Sequence, residues 1–192
     1  QTARAYVEAA IGHLSPAPPV LAAVGGLSGA GKSTFARAIA PALGASPGAV
    51  VLRSDEVRKR LAGVAPTDPL PPEAYAPDAQ ARVYAAMFDT ARDLLRAGRA
   101  VVLDATFVDP APRTRAAGLA AECGAVFRPA WLDAPLEVLE RRVVARAGDA
   151  SDATVAVVRE QAARLGEPPP WPRADATAPP DKAAARWLAL RP

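Results

Sequence analysis

The sequence predicts a three-layer α/β domain, a five-stranded parallel sheet with helices on both faces. Two observations carry this. Short apolar runs alternate with longer amphipathic stretches along most of the 192 residues, the signature of strand–helix units that build a parallel sheet. Prolines gather at 16–19, 66–77, 168–172 and 179–180, between those runs, where they punctuate loops. Composition fits the same class. Apolar residues make up 51% and aromatics only 5%, so Ala, Val and Leu form most of the core. Cys123 is the only cysteine, which rules out an internal disulfide and a Cys₂ or Cys₄ zinc site. A chain this long buries a core without either.

Taken in order, Val20–Val24 reads as the first strand, stopped by Gly25-Gly26. Lys32–Ala40 opens a helix that ends at Pro41. Val50–Arg53 is a second strand, followed by a short helix around Glu56–Leu61 and a proline-rich loop, Val64–Pro77. Asp78–Ala97 is a long helix: Val83, Met87, Thr90 and Leu94 recur at helical spacing, and Gly98 caps it. Val101–Leu103 is the third strand, Pro112–Cys123 a helix, and Ala125–Leu132 the fourth strand. Pro135 starts a helix through Ala147, and Asp152–Leu165 forms another. A short strand, Arg173–Ala176, and a helix, Lys182–Leu190, close the chain. Right-handed crossovers place every loop that follows a strand along one edge of the sheet, where ligands bind.

At that edge, Gly26-Leu27-Ser28-Gly29-Ala30-Gly31-Lys32-Ser33 matches G-x-x-x-x-G-K-[ST] at every fixed position. An apolar strand precedes it and a helix follows. The glycines let backbone N–H groups turn inward toward phosphate oxygens, and the helix start adds its positive dipole end. Gly26, Ser28, Gly29, Ala30, Gly31, Lys32, Ser33 and Thr34 are the nucleotide-binding candidates. Lys32 reaches the β- and γ-phosphates, and Ser33 offers its hydroxyl to Mg²⁺. Nothing resembles a guanine-reading motif, so ATP with Mg²⁺ is the expected cofactor.

Three further groups fall on the same edge. Asp55 follows the second strand and is placed to accept a proton from an attacking hydroxyl, with Arg58 one turn on. Equally open from spacing alone is a bland alternative: Ser54 or Asp55 caps a short helix, and Arg58–Arg60 is a solvated face. Asp104 ends the third strand, where such a carboxylate holds Mg²⁺ or its waters, and Thr106 follows. The helix from Pro135 has Leu136, Leu139, Val143 and Ala147 as its buried stripe. Arg142 and Arg146 flank that stripe and are candidates to reach over the phosphates; Arg141 points away. Gly148-Asp149-Ala150-Ser151-Asp152 reads as a break suited to a lid, or as a plain turn with Ser151 or Asp152 capping the next helix. Asp175-Ala176-Thr177-Ala178 follows the last strand, near the place of the adenine. Trp171 either packs a loop onto the core or faces the substrate. His13 reads as a surface or packing residue and Cys123 as a small core residue.

These residues together resemble the small P-loop kinases related to gluconate kinase, chloramphenicol phosphotransferase, zeta toxins and polynucleotide kinase. They resemble most the ATP-binding kinases fused behind an aminoglycoside-phosphotransferase-like domain. The likeness runs from about Val20 to Leu190. It rests on residues 26–33, Arg-Ser-Asp-x-x-Arg-Lys at 53–59, Leu-Asp-Ala-Thr-Phe at 103–107, and Arg142-x₃-Arg146 with Gly-Asp-Ala-Ser-Asp-Ala at 148–153. The resemblance implies a P-loop NTPase sheet in the order 2-3-1-4-5 with a helical lid. It implies Asp55 as base, Arg58 on substrate or phosphate, and Arg142 and Arg146 as lid arginines. The expected reaction moves the γ-phosphoryl of ATP to a hydroxyl of a small molecule. Alternatives are a 5′-hydroxyl polynucleotide kinase, or an ATP-sensing module that transfers nothing. A net charge of +3 and the lack of a basic, aromatic stripe argue against nucleic acid. A cytoplasmic setting without membrane attachment is expected. Residues 1–19 read as a connecting helix (Ala3–Leu14) and a Pro-rich linker, 20–192 as the kinase domain. An N-terminal phosphotransferase-like partner domain would fit a chain that begins with Gln.

Overall fold

Four short apolar runs and the segment Arg173–Asp175 become strands, each ending at a glycine, arginine or aspartate. In the computed structural model, which describes residues 3–4, 6–7, 18–145 and 150–190, they are β1 (Val20–Gly25), β2 (Val50–Arg53), β3 (Val101–Asp104), β4 (Val126–Asp133) and β5 (Arg173–Asp175). They pair in the order β2-β3-β1-β4-β5, every pair parallel, as the resemblance implies. The helices between them are α1 (Lys32–Ile39), α2 (Ser54–Ala62), α3 (Pro77–Arg96), α4 (Pro110–Glu122), α5 (Leu136–Val144), α6 (Val155–Leu165) and α7 (Pro180–Leu188). No described helix is long and apolar enough to cross a membrane. Apart from four helical residues, the connecting segment 1–17, with His13, lies outside the described residues.

Period-two alternation in β1 sends Leu21 and Ala23 to one face of the sheet and Ala22 and Val24 to the other, all fully buried. A strand covered on both faces reads as one unbroken apolar run, which is why β1 was plain in the sequence. On the Ala22 face α1 and α7 meet through Phe35 and Trp187, edge to face with ring centroids 6.0 Å apart. On the Leu21 face α3 and α4 pack against Leu103 and Trp131. The buried stripe of α3 is wider than its first apolar repeat. Tyr84, Phe88, Ala91 and Leu95 are buried beside Val83 and Met87, whereas Thr90 and Leu94 are half-buried. Trp171 packs edge-on against Phe107 and Phe127, with centroids at 5.3 and 6.2 Å. It is a wedge between loop and core rather than a substrate contact.

Several boundaries move by one to three residues, and those of α5 and α6 bear on the expected lid. Helix α5 begins after Pro135, and Leu136 is half exposed at the edge of the buried stripe formed by Leu139 and Val143. Residues 146–149, including Arg146, Gly148 and Asp149, lie outside the described residues. Helix α6 starts at Val155 rather than at Asp152. Its N-cap is Thr154, whose hydroxyl accepts the Val157 N–H at 3.4 Å. Asp152 is drawn elsewhere, as shown below.

Register fixes what meets at the ligand edge. Val24 and Arg53 are both paired with Asp104. β2 and β3 therefore end level, with β1 one residue longer, and the loops that follow them open onto one space.

Candidate active site

The loop after β1 is shaped by close backbone approach. A side chain at Gly26 (φ 144°) would meet the Leu132 carbonyl at 2.7 Å, and one at Gly29 (φ 85°) the Leu139 carbonyl at 2.6 Å. Both contacts, and both positive φ values, admit only glycine comfortably. The loop is then tied to its surroundings. Gly26 N–H donates to the Thr106 carbonyl at 3.1 Å, and Ala105 N–H to the Val24 carbonyl at 3.3 Å. Phe107 sits at a positive φ of 50°, fully buried. Its N–H donates to the Tyr84 hydroxyl at 3.2 Å, and burial pushes that phenol up to about 12. The Leu-Asp-Ala-Thr-Phe segment thus buttresses the phosphate loop.

Lys32 opens α1 and folds back over the loop, donating to the Leu27 carbonyl at 3.0 Å. The Ser33 hydroxyl lies close enough to the Asp104 carboxylate to favour its charged form. Asp104 is only 4% exposed, and burial pushes its carboxyl up. Lys32, the Ser33 hydroxyl and Arg53 pull the other way; the Arg53 Nε lies 3.4 Å from Oδ2. A carboxylate whose local cations do not outweigh its burial fits a further divalent cation. Two hard oxygen ligands beside a phosphate loop suit Mg²⁺, which keeps waters and takes phosphate oxygens for the rest.

Ser28, Gly29, Gly31, Lys32, Ser33, Thr34, Asp55, Arg58, Asp104 and Thr106 line one cleft of about 720 Å³. Gly26 is buried behind the loop. Ala30 and Arg142 line a second hollow of about 440 Å³ on the other side of the loop, shared with Gly29, Gly31 and Thr34. There Arg142 donates to the Ala176 carbonyl at 2.8 Å, so it joins the loop to the 175–178 segment. Arg141 is exposed, as its helical phase requires.

Asp55 is not a cap. Helix α2 starts at Ser54 with Arg53 in the cap position, and no side chain caps it. Asp55 instead presents its carboxylate to the cleft, and among the described residues it has no hydrogen-bond or ion-pair partner. Nor is 58–60 a solvated face: Arg58 is 5% and Lys59 1% exposed. Arg58 donates to the Ala74 carbonyl at 2.6 Å and to Gln80 Oε1, and lies over the Tyr75 ring at 4.7 Å.

The family described as an AAA domain, AAA_33, matches residues 21–168, from β1 past α6. The chain belongs to the AAA_33 family. Rv2004c of Mycobacterium tuberculosis H37Rv and Mb2027c of Mycobacterium bovis are each 39% identical to it over 159 residues, 81% of this chain. The chain spans 31% of the length of those relatives. Among solved structures, the Mycobacterium tuberculosis APS kinase CysC in complex with AMPPNP and APS superposes with a TM-score of 0.65 at 23% identity, covering 90% of this chain and 97% of that one. A gluconokinase from Sinorhizobium meliloti 1021 gives 0.62 at 22%, covering 90% of each. A Deinococcus radiodurans tunicamycin resistance protein gives 0.60 at 20%, covering 90% and 97%. The fold is that of P-loop kinases.

Two features of this AAA_33 domain escaped the sequence. The first is Gln161 on α6, whose Oε1 accepts the Ser28 N–H at 2.9 Å. An amide oxygen thus stands where the loop would receive a phosphate oxygen. Gln161→Ala is expected to tighten ATP binding by about two- to tenfold, the scale of one net hydrogen bond. Calorimetric titration checks this; weaker binding in the variant would show that Gln161 assists the nucleotide instead of competing with it.

The second is a buried ion pair. The Lys59 ammonium donates to Asp152 Oδ1 and Oδ2 at 2.9 and 2.7 Å, and to the Asp68 carbonyl. Asp152 Oδ2 also accepts the Tyr75 hydroxyl at 2.5 Å and the Leu70 N–H at 3.2 Å. The node ties α2, the proline-rich loop and the segment before α6 together. Burial favours the neutral Asp152 carboxyl, but Lys59, Tyr75 and Leu70 outweigh it and hold the group below its usual range. A depressed carboxyl stabilises the fold fully above the unfolded-state value, and the gain is lost as pH falls through the folded one. Asp152→Ala strands an ammonium that is 1% exposed and is expected to cost about 3 kcal/mol at neutral pH. The difference from the parent should shrink below about pH 4. Urea unfolding at pH 7 and pH 3 measures both; an equal difference at the two values would contradict the charged node.

Proposed function

We propose that this AAA_33 domain is a kinase that moves the γ-phosphoryl of ATP, with Mg²⁺, to a hydroxyl of a small molecule. The observation that carries the reading is that Asp55, unpaired among the described residues, opens onto the same cleft as Lys32 and Ser33. A P-loop that only senses nucleotide has no use for a base beside it. The Asp55 carboxylate takes the proton of the acceptor hydroxyl as its oxygen attacks the γ-phosphorus. The bond from phosphorus to the β–γ bridging oxygen breaks, and ADP leaves with that electron pair. Lys32 and the inward N–H groups of the loop hold the charge that develops on the phosphoryl oxygens. Mg²⁺, when bound at Ser33 and Asp104, neutralises the β- and γ-phosphates. On the far side, the hollow between Arg142 and Ala178 suits the nucleoside. Arg146 is retained in the proposal as a second lid arginine. The relatives are about three times longer, and we further propose that the domain serves one polypeptide with a phosphotransferase-like neighbour.

The test is acceptor-dependent release of ADP across sugars, aminoglycosides, nucleosides and 5′-hydroxyl oligonucleotides. Turnover with a small hydroxyl compound is expected. Turnover confined to oligonucleotides would move the assignment to a polynucleotide kinase. ATP binding without turnover on any acceptor would favour a sensor.

A further inference from the structure

The kinase reading leaves the acceptor open, and the charges lining the cleft narrow it. Beyond the phosphate loop the cleft is walled by Leu70, Pro72 and Tyr75 of the proline-rich loop, by the start of α3, and by Glu160 and Arg164 of α6. Its guanidinium groups are committed. Arg53 is 6% exposed and pairs with Glu56 at 2.8 Å as well as approaching Asp104. Both Nη atoms of Arg58 already donate, to Ala74 and Gln80, and its Nε is sealed from solvent without a partner. Arg164 pairs with Asp109 at 3.1 Å. Lys32 belongs to the phosphates. A carboxylate, sulfate or phosphate on an acceptor is held by a forked guanidinium presented to it. Among the described residues only Arg164, bonded through one nitrogen at the exposed rim, keeps part of its fork open here.

Its carboxylates divide: Asp104, Asp109 and Asp152 are paired with Arg53, Arg164 and Lys59. Asp55 and Glu160 both line the cleft, and among the described residues neither accepts a hydrogen bond nor pairs with a cation. The cations of the lining, Lys32, Arg53, Arg58 and Arg164, are each bonded to the protein or turned to the phosphates, whereas a cationic acceptor finds two carboxylates open to it. The apolar faces of Leu70, Pro72 and Tyr75 supply a wall for the C–H face of a ring. Resting on the kinase reading above, we infer that the acceptor is a polyhydroxylated amine, its ammonium read by Glu160 and its reacting hydroxyl delivered to Asp55. Glu160 is then a specificity residue. It lies on the helix that also carries Gln161, so acceptor and nucleotide are sensed by one element.

The experiment uses the whole chain with ATP–Mg²⁺ and sets of acceptors that share a skeleton but differ in charge: glucosamine, glucose and gluconate, and an aminocyclitol, inositol and an inositol phosphate. ADP release is measured for each. The amine of each set is expected to exceed its neutral counterpart in kcat/KM by about tenfold, the scale of one charge pair in a partly screened cleft. The anion should be the poorest. In Glu160→Gln the preference for amine over neutral should largely vanish, through a rise in KM for the amine, with KM for ATP as the internal reference. Preference for gluconate or the inositol phosphate would overturn the inference and leave the kinase standing. Equal use of amine and neutral acceptors, unchanged in Glu160→Gln, would also overturn it. Silence across the panel from a chain that binds ATP–Mg²⁺ would remove the kinase reading, and this inference with it.

Discussion

Lys32→Ala is expected to abolish phosphoryl transfer and to weaken ATP–Mg²⁺ binding by about ten- to a hundredfold, the range of one hydrogen bond to a charged group. In the proposed mechanism the side chain supplies the cation at the β- and γ-phosphates, where transfer places most charge. The loop does not need it for shape. The Ala30 N–H still donates to the Leu27 carbonyl, the Phe35 N–H to that of Gly31, and the Gly26 N–H to that of Thr106. Gly26 and Gly29 keep their tight approaches to Leu132 and Leu139. The variant should therefore fold, with thermal unfolding close to that of the parent. A further consequence falls on Asp104, whose carboxyl is held down in part by Lys32. Without that cation it rises further, and Mg²⁺-dependent binding should weaken at mildly acidic pH more than in the parent. Calorimetry with ATP–Mg²⁺ at two pH values reads both effects. Unchanged affinity and turnover in a folded variant would remove the phosphate-loop assignment.

Asp55→Asn is expected to lower turnover with the true acceptor by on the order of 10²–10⁴, with ATP affinity nearly kept. The exchange preserves shape but not the ability to take a proton. A capping role predicts near silence, because Asn and Asp cap about equally well. The structure separates these readings, since the cap position belongs to Arg53 and no side chain caps α2. What remains structural is the interaction of a first-turn carboxylate with the helix dipole, worth about 0.3–1 kcal/mol at most sites. Stability should fall by no more than that. Turnover at the parent rate would refute Asp55 as base and bring Asp104 forward.

The strands and the phosphate loop were legible because each is written locally, and the sheet order followed from the family resemblance. β1 is covered on both faces and so reads as an unbroken apolar run, and the loop needs glycines at fixed offsets. Asp55 and Asp104 were legible as strand-end carboxylates. Much of the rest of the site was not. Lys59 sits between Arg58 and Arg60 and looks like one of three solvated cations, yet it is the most buried of them. Its partner Asp152 is 93 residues away, and looked like a helix cap because Thr154, the real cap, is two residues on. Gln161 reaches a loop amide 133 residues earlier. The hint available for it was its place on a helix just past the supposed lid.

By itself, the sequence determined the layers, the edge of the sheet where the loops after the strands gather, and the glycine-rich loop at that edge. Those depend on periodicity and on spacings of a few residues, which no distant contact can alter. Only the tertiary structure decided which side of the loop each arginine serves. Arg142 went to the hollow beside Ala176, while Arg58 turned inward under Tyr75 and lost its freedom to bind an anion. It also decided that Glu160 would face the cleft unpaired while Arg159, its neighbour, found Glu140 at 2.7 Å. The physical reason is the path of the 64–77 segment and of residues 150–154 ahead of α6. Neither has a repeating pattern, and both are placed by contacts made far away in the chain. A charge becomes a ligand-reading group or a structural one according to whether such a segment reaches it first.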